Sequence, residues 1–213
     1  MIKNLFKKTA FFIITGLIFS VFLSGCGKPE SPGNNSSQLS NQPSNHPKIQ
    51  FEMENGDKMT FELYPEYAPE TVANFVSLAE SGFYNGLTFH RIIKGFMAQG
   101  GDPNGNGSGG SDKNIKGEFS SNGFTQNTLK HTKGIISMAR SGDPDSASSQ
   151  FFIMDGTAAT LDGDYAAFGK LTSGEETLDK IVNTPVKANP SMRGEVSVPT
   201  EKVIIKSVTV LEK

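Results

Sequence analysis

The chain has one cysteine, no tryptophan and three histidines among its 213 residues. A single cysteine excludes an intrachain disulfide, so the thiol needs a separate explanation. His46, His90 and His131 show no zinc-ligand spacing, and we expect no metal site. A formal net charge of −2 leaves no basic surface for nucleic acid. There is no G-x-S-x-G motif, and nothing in the residue pattern argues for a hydrolase.

No apolar run is long enough for a membrane-spanning helix. The longest, residues 11–23, is shorter than the ~20 residues that a bilayer requires. It follows a lysine-rich start, and this order predicts a secretory signal peptide over residues 1–25. The run ends in Leu23-Ser24-Gly25-Cys26, which resembles the lipobox of bacterial lipoproteins. The resemblance implies lipidation of Cys26 after cleavage before it; the alternatives are an uncleaved anchor or a cysteine that merely follows a signal.

Residues 26–47 are predicted to be the lipidated cysteine and a flexible linker. They are rich in Ser, Asn, Pro, Gln and Gly, a composition that buries too little apolar surface to fold. His46 is expected to be a solvated linker residue. A lipid on Cys26 would place the protein outside the cytoplasm of a bacterium, anchored to the cell membrane and facing outward.

Residues 48–213 are predicted to form one folded domain of mainly β structure. Apolar residues alternate on both sides of Asn55-Gly56, which is a strong hairpin signal. Helical periodicity follows Ala68-Pro69 and recurs over residues 175–182. About seven or eight short strands without long crossover helices predict a closed antiparallel barrel with two helices at its ends.

Residues 89–102 are predicted to fold back as two short strands joined by a turn. Arg91 and Gln99 lie on either side of that turn, with Phe96 and Met97 between them. A cation, an amide and two large apolar side chains would then share one concave patch. Taken alone, the pattern favours Arg91 as half of a surface ion pair and the apolar side chains as plain core.

A glycine-rich loop follows this hairpin. Residues 105–110 match G-x-G-x-x-G by letter, but turn-forming residues follow them. The dinucleotide-binding motif must open a helix within a βαβ unit, so we expect no nucleotide site. Glycine still allows a backbone to approach a bound chain closely.

Five collinear blocks resemble the cyclophilins, the cyclosporin-binding class of peptidyl-prolyl cis/trans isomerases. The blocks lie at residues 89–102, 129–132, 134–139, 149–153 and 161–170. The resemblance spans about residues 48–213. It implies an all-β fold, a closed eight-stranded antiparallel barrel capped by two α-helices, and an isomerase that needs no metal or cofactor.

The resemblance also implies roles for individual residues. The catalytic arginine of the family matches Arg91. The proline pocket matches Phe96, Met97, Phe152 and Leu161, with Tyr165 at the position of the family's pocket histidine. The residues that hold the substrate backbone match Gln99, Ala139, Arg140, Ser141 and Gln150, and the close-approach glycine matches Gly107.

The implied partners are proline-containing polypeptides, chiefly exported proteins that are not yet folded, and a monomer is expected. Thr160 stands where many eukaryotic members carry tryptophan. The indole N–H donor is therefore missing, and we expect weak cyclosporin binding. Thr160 and Tyr165 both alter the rim of the pocket, which leaves a second hypothesis open: a binding module or holdase that captures chains without useful turnover.

Overall fold

A computed structural model describes residues 46–213. The predicted signal peptide, the predicted lipidation site at Cys26 and nearly all of the predicted linker lie outside the described residues. Within the described range, no helix is long and apolar enough to cross a membrane.

The domain is mainly β structure with two α-helices. Its main sheet contains eight strands: β1 (Lys48–Met53), β2 (Lys58–Leu63), β3 (Arg91–Ile93), β4 (Met97–Gly100), β5 (Ile135–Met138), β6 (Phe151–Met154), β7 (Ala167–Ser173) and β10 (Ile205–Glu212). A separate hairpin consists of β8 (Val186–Asn189) and β9 (Glu195–Pro199). The helices are α1 (Pro69–Glu80) and α2 (Glu175–Val182).

The main sheet is a curled half-barrel with the strand order β10-β1-β2-β7-β5-β6-β4-β3. Closure into a barrel is not confirmed, because β3 and β10 remain the edge strands. The chain just before β3 meets the chain before β10 through an isolated bridge between Thr88 and Ile204. The Phe89 N–H also donates to the Val203 carbonyl at 3.0 Å. These few bonds connect the two sides of the sheet without extending the β3 ladder.

The β1–β2 hairpin confirms the predicted alternation. Ile49, Phe51 and Met53 are buried on β1, and every second residue of β2 is buried opposite them. Gly56 in the turn has φ +86, a left-handed conformation that glycine adopts without steric cost. Phe51 packs against Phe151 of β6 with a ring-centroid distance of 5.4 Å, so this hairpin forms part of the main core.

Helix α1 begins with Pro69, as predicted, but its first N–H groups are satisfied from far along the chain. The Glu118 carboxylate accepts the Glu70 N–H at 2.9 Å and the Thr71 N–H at 2.8 Å. Glu118 is only 3 % exposed. A buried carboxylate at the positive end of a helix dipole is favourable, and it fixes α1 to the loop that carries Glu118.

The prediction for His46 was wrong. Its Nε2 lies 3.1 Å from the Glu66 carboxylate, and its Nδ1 lies 3.5 Å from that of Glu62. The ring also meets Tyr64 edge to face, with centroids 5.1 Å apart. The chain just before β1 is therefore packed against the folded domain.

Candidate active site

Two adjoining cavities lie along the outer side of β4 and β6. One has a volume of about 250 Å³ and is the less polar of the two, and we call it the apolar cavity; it is lined by Arg91, Phe96, Met97, Gln99, Ala139, Arg140, Phe152, Leu161, Tyr165 and Met192. The other has about 400 Å³ and is more polar; its lining includes Gln99, Gly107, Ala139, Arg140, Ser141, Gln150 and Met192. All twelve residues predicted for the site line one cavity or the other. Their roles remain predictions.

Strand register brings the lining residues together. Arg91 pairs with Gln99 across β3 and β4, and Gln99 pairs with Phe152 across β4 and β6. Because side chains alternate along a strand, Met97 and Gln99 face the cavities while Ala98 enters the main core. The sheet is therefore covered on both faces here, and a second apolar cluster lies on its outer side: Met97, Ile135, Phe152, Met154 and Ala167.

Glutamine side chains connect the hairpin to the glycine-rich loop. The Gln99 amide donates to Gln150 Oε1 at 2.9 Å. Gln150 Nε2 in turn donates to the carbonyls of Gly107 and Gly109, at 3.1 and 2.7 Å. Fixed amides at the boundary between the cavities are suited to hold an extended peptide backbone.

Asp102 shapes the loop from within. Its carboxylate is 1 % exposed and accepts the backbone N–H groups of Asn104, Asn106 and Gly107 at 2.8, 2.9 and 2.6 Å. Burial favours the protonated carboxyl, but these three donors outweigh it and lower the pKa of Asp102 below its ordinary value. Gly107 has φ +91, which few other residues adopt without strain. The loop is thus held in shape by Asp102 from within.

Arg91 enters the apolar cavity from one side and is engaged on its other side by Glu195. Its Nε and Nη2 donate to Glu195 Oε1 and Oε2 at 2.7 and 2.8 Å, a bidentate ion pair. Its Nη1 approaches Gln99 Oε1 at 3.3 Å and Met97 Sδ at 3.7 Å. The hydrogen bonds from Arg91 lower the pKa of Glu195, which favours the charged pair.

Comparison with known protein families shows which family carries this site. The model of the cyclophilin type peptidyl-prolyl cis-trans isomerases matches residues 48–210. The chain belongs to this family. Peptidyl-prolyl cis-trans isomerisation is therefore the activity that its relatives support.

Curated relatives and solved structures agree. The chain is 47 % identical to peptidyl-prolyl cis-trans isomerase B of Bacillus subtilis over 144 residues, which cover 68 % of this chain and 96 % of the relative. It is 49 % identical to a Helicobacter pylori peptidyl-prolyl cis-trans isomerase over 129 residues, covering 60 % and 76 %. A crystal structure of a Cryptosporidium parvum cyclophilin aligns with a TM-score of 0.68 and 33 % identity, covering 79 % of this chain and 99 % of that one. A second structure of that protein was determined in the presence of the dipeptide Ala-Pro.

A Ser–His–Asp arrangement lies behind the apolar cavity of this cyclophilin, although sequence patterns gave no sign of one. His131 Nδ1 lies 3.0 Å from Asp162 Oδ1, and His131 Nε2 lies 3.0 Å from Ser137 Oγ. Ser137 is fully buried and His131 is 1 % exposed, so the hydroxyl cannot meet a substrate. The imidazole instead stacks on Phe152, with centroids 5.9 Å apart. The arrangement supports the cavity wall, and burial lowers the pKa of His131 although Asp162 opposes this.

The Arg140 side chain has a structural task of its own. Its guanidinium carbon lies 4.7 Å from the centroid of the Tyr165 ring and 5.1 Å from that of Phe119. Arg140 Nε also donates to the Asp164 carbonyl at 3.0 Å. These contacts orient the Tyr165 ring at the rim. Thr160, by contrast, is exposed and lines neither cavity.

Sequence reasoning missed Met192, in the segment that joins β8 to β9, and Glu195, the first residue of β9. A turn signal was present, because Asn189-Pro190 favours a turn and Gly194 follows it between β-branched stretches. That signal would have predicted a hairpin without showing where it packs. Across the described residues, no three His, Cys, Asp or Glu side chains are grouped closely enough to hold a metal ion.

Proposed function

We propose that this cyclophilin accelerates the rotation of X–Pro bonds in exported proteins and assists their folding at the outer face of the membrane. The isomerase activity is supported by the family, and the exported setting by the signal and lipobox pattern that ends at Cys26. One observation carries the residue-level proposal: the Arg91 guanidinium lies beside an apolar cavity of about 250 Å³.

The barrier to X–Pro rotation is the amide resonance that is lost as the C–N bond twists, about 20 kcal/mol. At the twisted geometry the prolyl nitrogen becomes pyramidal and gains a lone pair. The Arg91 guanidinium stays protonated and donates a hydrogen bond to that lone pair. Because the planar amide nitrogen accepts poorly, the interaction is stronger in the transition state than in the ground state and therefore lowers the barrier.

The apolar cavity would hold the proline ring while the bond turns. Met97 and Phe152 are 2 % and 5 % exposed and are packed from behind, so this part of the wall is rigid. Gln99 and the backbone around Ala139 would hold the flanking peptide, and the Ala-Pro dipeptide used with the Cryptosporidium relative is consistent with such a ligand. The proposed step requires no nucleophile, metal or cofactor.

Exchange between cis and trans proline in a short peptide tests the catalytic proposal. The purified protein should accelerate the exchange, and Arg91→Ala should lower kcat about 100-fold or more, as expected when a transition-state donor is lost. Lys170→Ala is the control, because it removes a cation from an exposed residue that lines neither cavity. Equal activity of wild type and Arg91→Ala would refute the mechanism. Peptide binding without exchange would favour the holdase hypothesis.

The membrane anchor is tested separately. In a bacterial host the wild-type chain should carry a lipid on Cys26 and sediment with membranes, since two or three acyl chains give a stable anchor. Cys26→Ser should remove the lipid mass and release the protein. Unchanged membrane retention and no lipid adduct on the wild type would contradict the anchor while leaving the isomerase proposal intact.

A further inference from the structure

We propose that Glu195 is a positioning residue for the isomerase reaction: it holds the Arg91 guanidinium in the orientation that catalysis needs. The inference rests on the proposed function, in which Arg91 is the catalytic group. Nothing in the five sequence blocks pointed to Glu195, which follows Arg91 by 104 residues and lies on the separate β8–β9 hairpin.

The geometry of the pair determines which edge of the guanidinium is free. Two parallel bonds to one carboxylate use the Nε–H and one Nη2–H, and they fix the plane of the group. Nη1 then faces Met97, which lines the apolar cavity. Of the five N–H donors of arginine, the second Nη2–H remains for a substrate, together with the Nη1 donors, whose contacts with Gln99 and Met97 are long.

No other contact among the described residues would fix this orientation. The Nη1 bond to Gln99 is long at 3.3 Å, and a thioether sulfur such as that of Met97 is a weak acceptor. An arginine side chain is long and flexible, so it disperses over several rotamers when nothing holds it. The pair is also partly shielded, with side-chain exposures of 17 % for Arg91 and 31 % for Glu195, unlike an ion pair in open solvent.

The hairpin itself is built to present Glu195. Glu195 is the first residue of β9 and pairs with Asn189 of β8. Arg193 and Gly194 before it both have positive φ, at 52 and 83, and reverse the chain. The Gly194 N–H donates to the Asn189 carbonyl at 3.0 Å and closes the turn. β9 packs beside β3, so the carboxylate reaches Arg91 from a braced strand.

The test is Glu195→Gln, which keeps the size of the side chain and removes one of the two acceptor oxygens. If Glu195 positions Arg91, kcat should fall about tenfold while KM changes less than about twofold, since the loss affects the transition state more than binding. A rise in kcat would mean that Glu195 restrains Arg91, and it would overturn the inference. Unchanged kcat would also overturn it.

A matched control and a double-mutant cycle separate positioning from a general change of charge. Glu52→Gln makes the same chemical change at a pair with Lys206, between β1 and β10, which lines neither cavity, and should leave kcat unchanged. In an Arg91→Lys background, adding Glu195→Gln should change kcat by less than about twofold, because the group it positions is gone. An undiminished tenfold effect there would show that Glu195 acts without Arg91, contrary to the inference.

Nuclear magnetic resonance gives a readout independent of turnover. The Nε–H of Arg91 should exchange slowly with water in the wild type and rapidly in Glu195→Gln. The wild type, Glu195→Gln and Glu52→Gln should all have similar melting temperatures. Equal exchange in wild type and Glu195→Gln would show that Glu195 does not hold the group. The failures are distinguishable: an active enzyme insensitive to Glu195→Gln refutes this inference alone, whereas an inactive wild type refutes the proposed function and this inference with it.

Discussion

Replacing Arg91 by lysine is the most selective perturbation of the proposed mechanism. The substitution keeps a positive charge beside the apolar cavity, so any general electrostatic contribution survives. It removes the planar fork that meets Glu195 at 2.7 and 2.8 Å. An ammonium group carries its donors on a single nitrogen, and it cannot both pair with Glu195 and point a fixed donor at the prolyl nitrogen.

The expected size of the effect follows from what is lost. Removing one preorganised donor from a transition state lowers kcat by about 10²–10³-fold, or roughly 3–4 kcal/mol. Arg91→Lys should fall near the lower end, at about 100-fold, because some donor capacity remains. KM should change little, since Met97 and Phe152 still form the wall of the proline pocket.

Exchange spectroscopy on an Ala-Pro peptide measures this prediction, because it reads the cis/trans rate and the bound fraction in one sample. Lys170→Arg is the control: the reverse exchange of the same two cations at an exposed residue that lines neither cavity, with an expected loss below about twofold. If Arg91→Lys retains a third or more of the wild-type kcat, a positioned guanidinium is not what lowers the barrier, and the charge alone would suffice.

Three further predictions concern stability and ligand binding. Burial lowers the pKa of His90 and His131, so the unfolded chain takes up protons on these residues before the folded protein does. The free energy of unfolding should therefore fall as the pH drops below about 6.5, by at most about 1.4 kcal/mol per pH unit for each histidine. Urea unfolding at pH 7.5 and 5.5 measures this, and equal stability at the two pH values would contradict it. Glu118→Ala should lower the free energy of unfolding by about 2 kcal/mol, because two N–H groups of α1 lose their acceptors. Glu54→Ala, at an exposed turn, is the control. An equally small loss in both variants would show that the Glu118 carboxylate does not stabilise the start of α1. Cyclosporin should bind weakly, and Thr160→Trp should tighten binding about fivefold in calorimetry, the worth of roughly one added hydrogen bond. Nanomolar binding to the wild type would contradict the expectation.

Local patterns predicted most of the fold, and tertiary contacts changed its edges. The alternation in β1 and β2 and the periodicity of α2 match the structure because each reflects burial of one face. The first of the two strands expected within residues 89–102 begins only at Arg91, because the preceding residues bond to the chain before β10 instead. A pairing between such distant segments has no signature in local sequence. Closure of the barrel would also depend on such a pairing, and its prediction was not confirmed.

The site was predictable where it is built from contiguous blocks. Arg91, Met97 and Gln99 belong to one hairpin, and its register alone brings them together. Glu195 could not be inferred in this way, because its partner lies 104 residues earlier and a lone glutamate in a turn-rich stretch resembles any solvated residue. The buried His131 shows the same limit: its contacts with Ser137 and Asp162 appear only after the chain has folded.

The two interpretations of Arg91 that the sequence allowed, half of an ion pair and catalytic group, are compatible in the structure. The pair with Glu195 uses the Nε edge of the guanidinium, whereas the cavity meets the Nη1 edge. A planar cation with five donors can satisfy a carboxylate on one side and still present fixed donors on the other, which lysine cannot do. Because the carboxylate orients the guanidinium before the substrate binds, less reorganisation is needed when the prolyl nitrogen becomes pyramidal. The acidic partner of Arg91 thus supports its catalytic assignment.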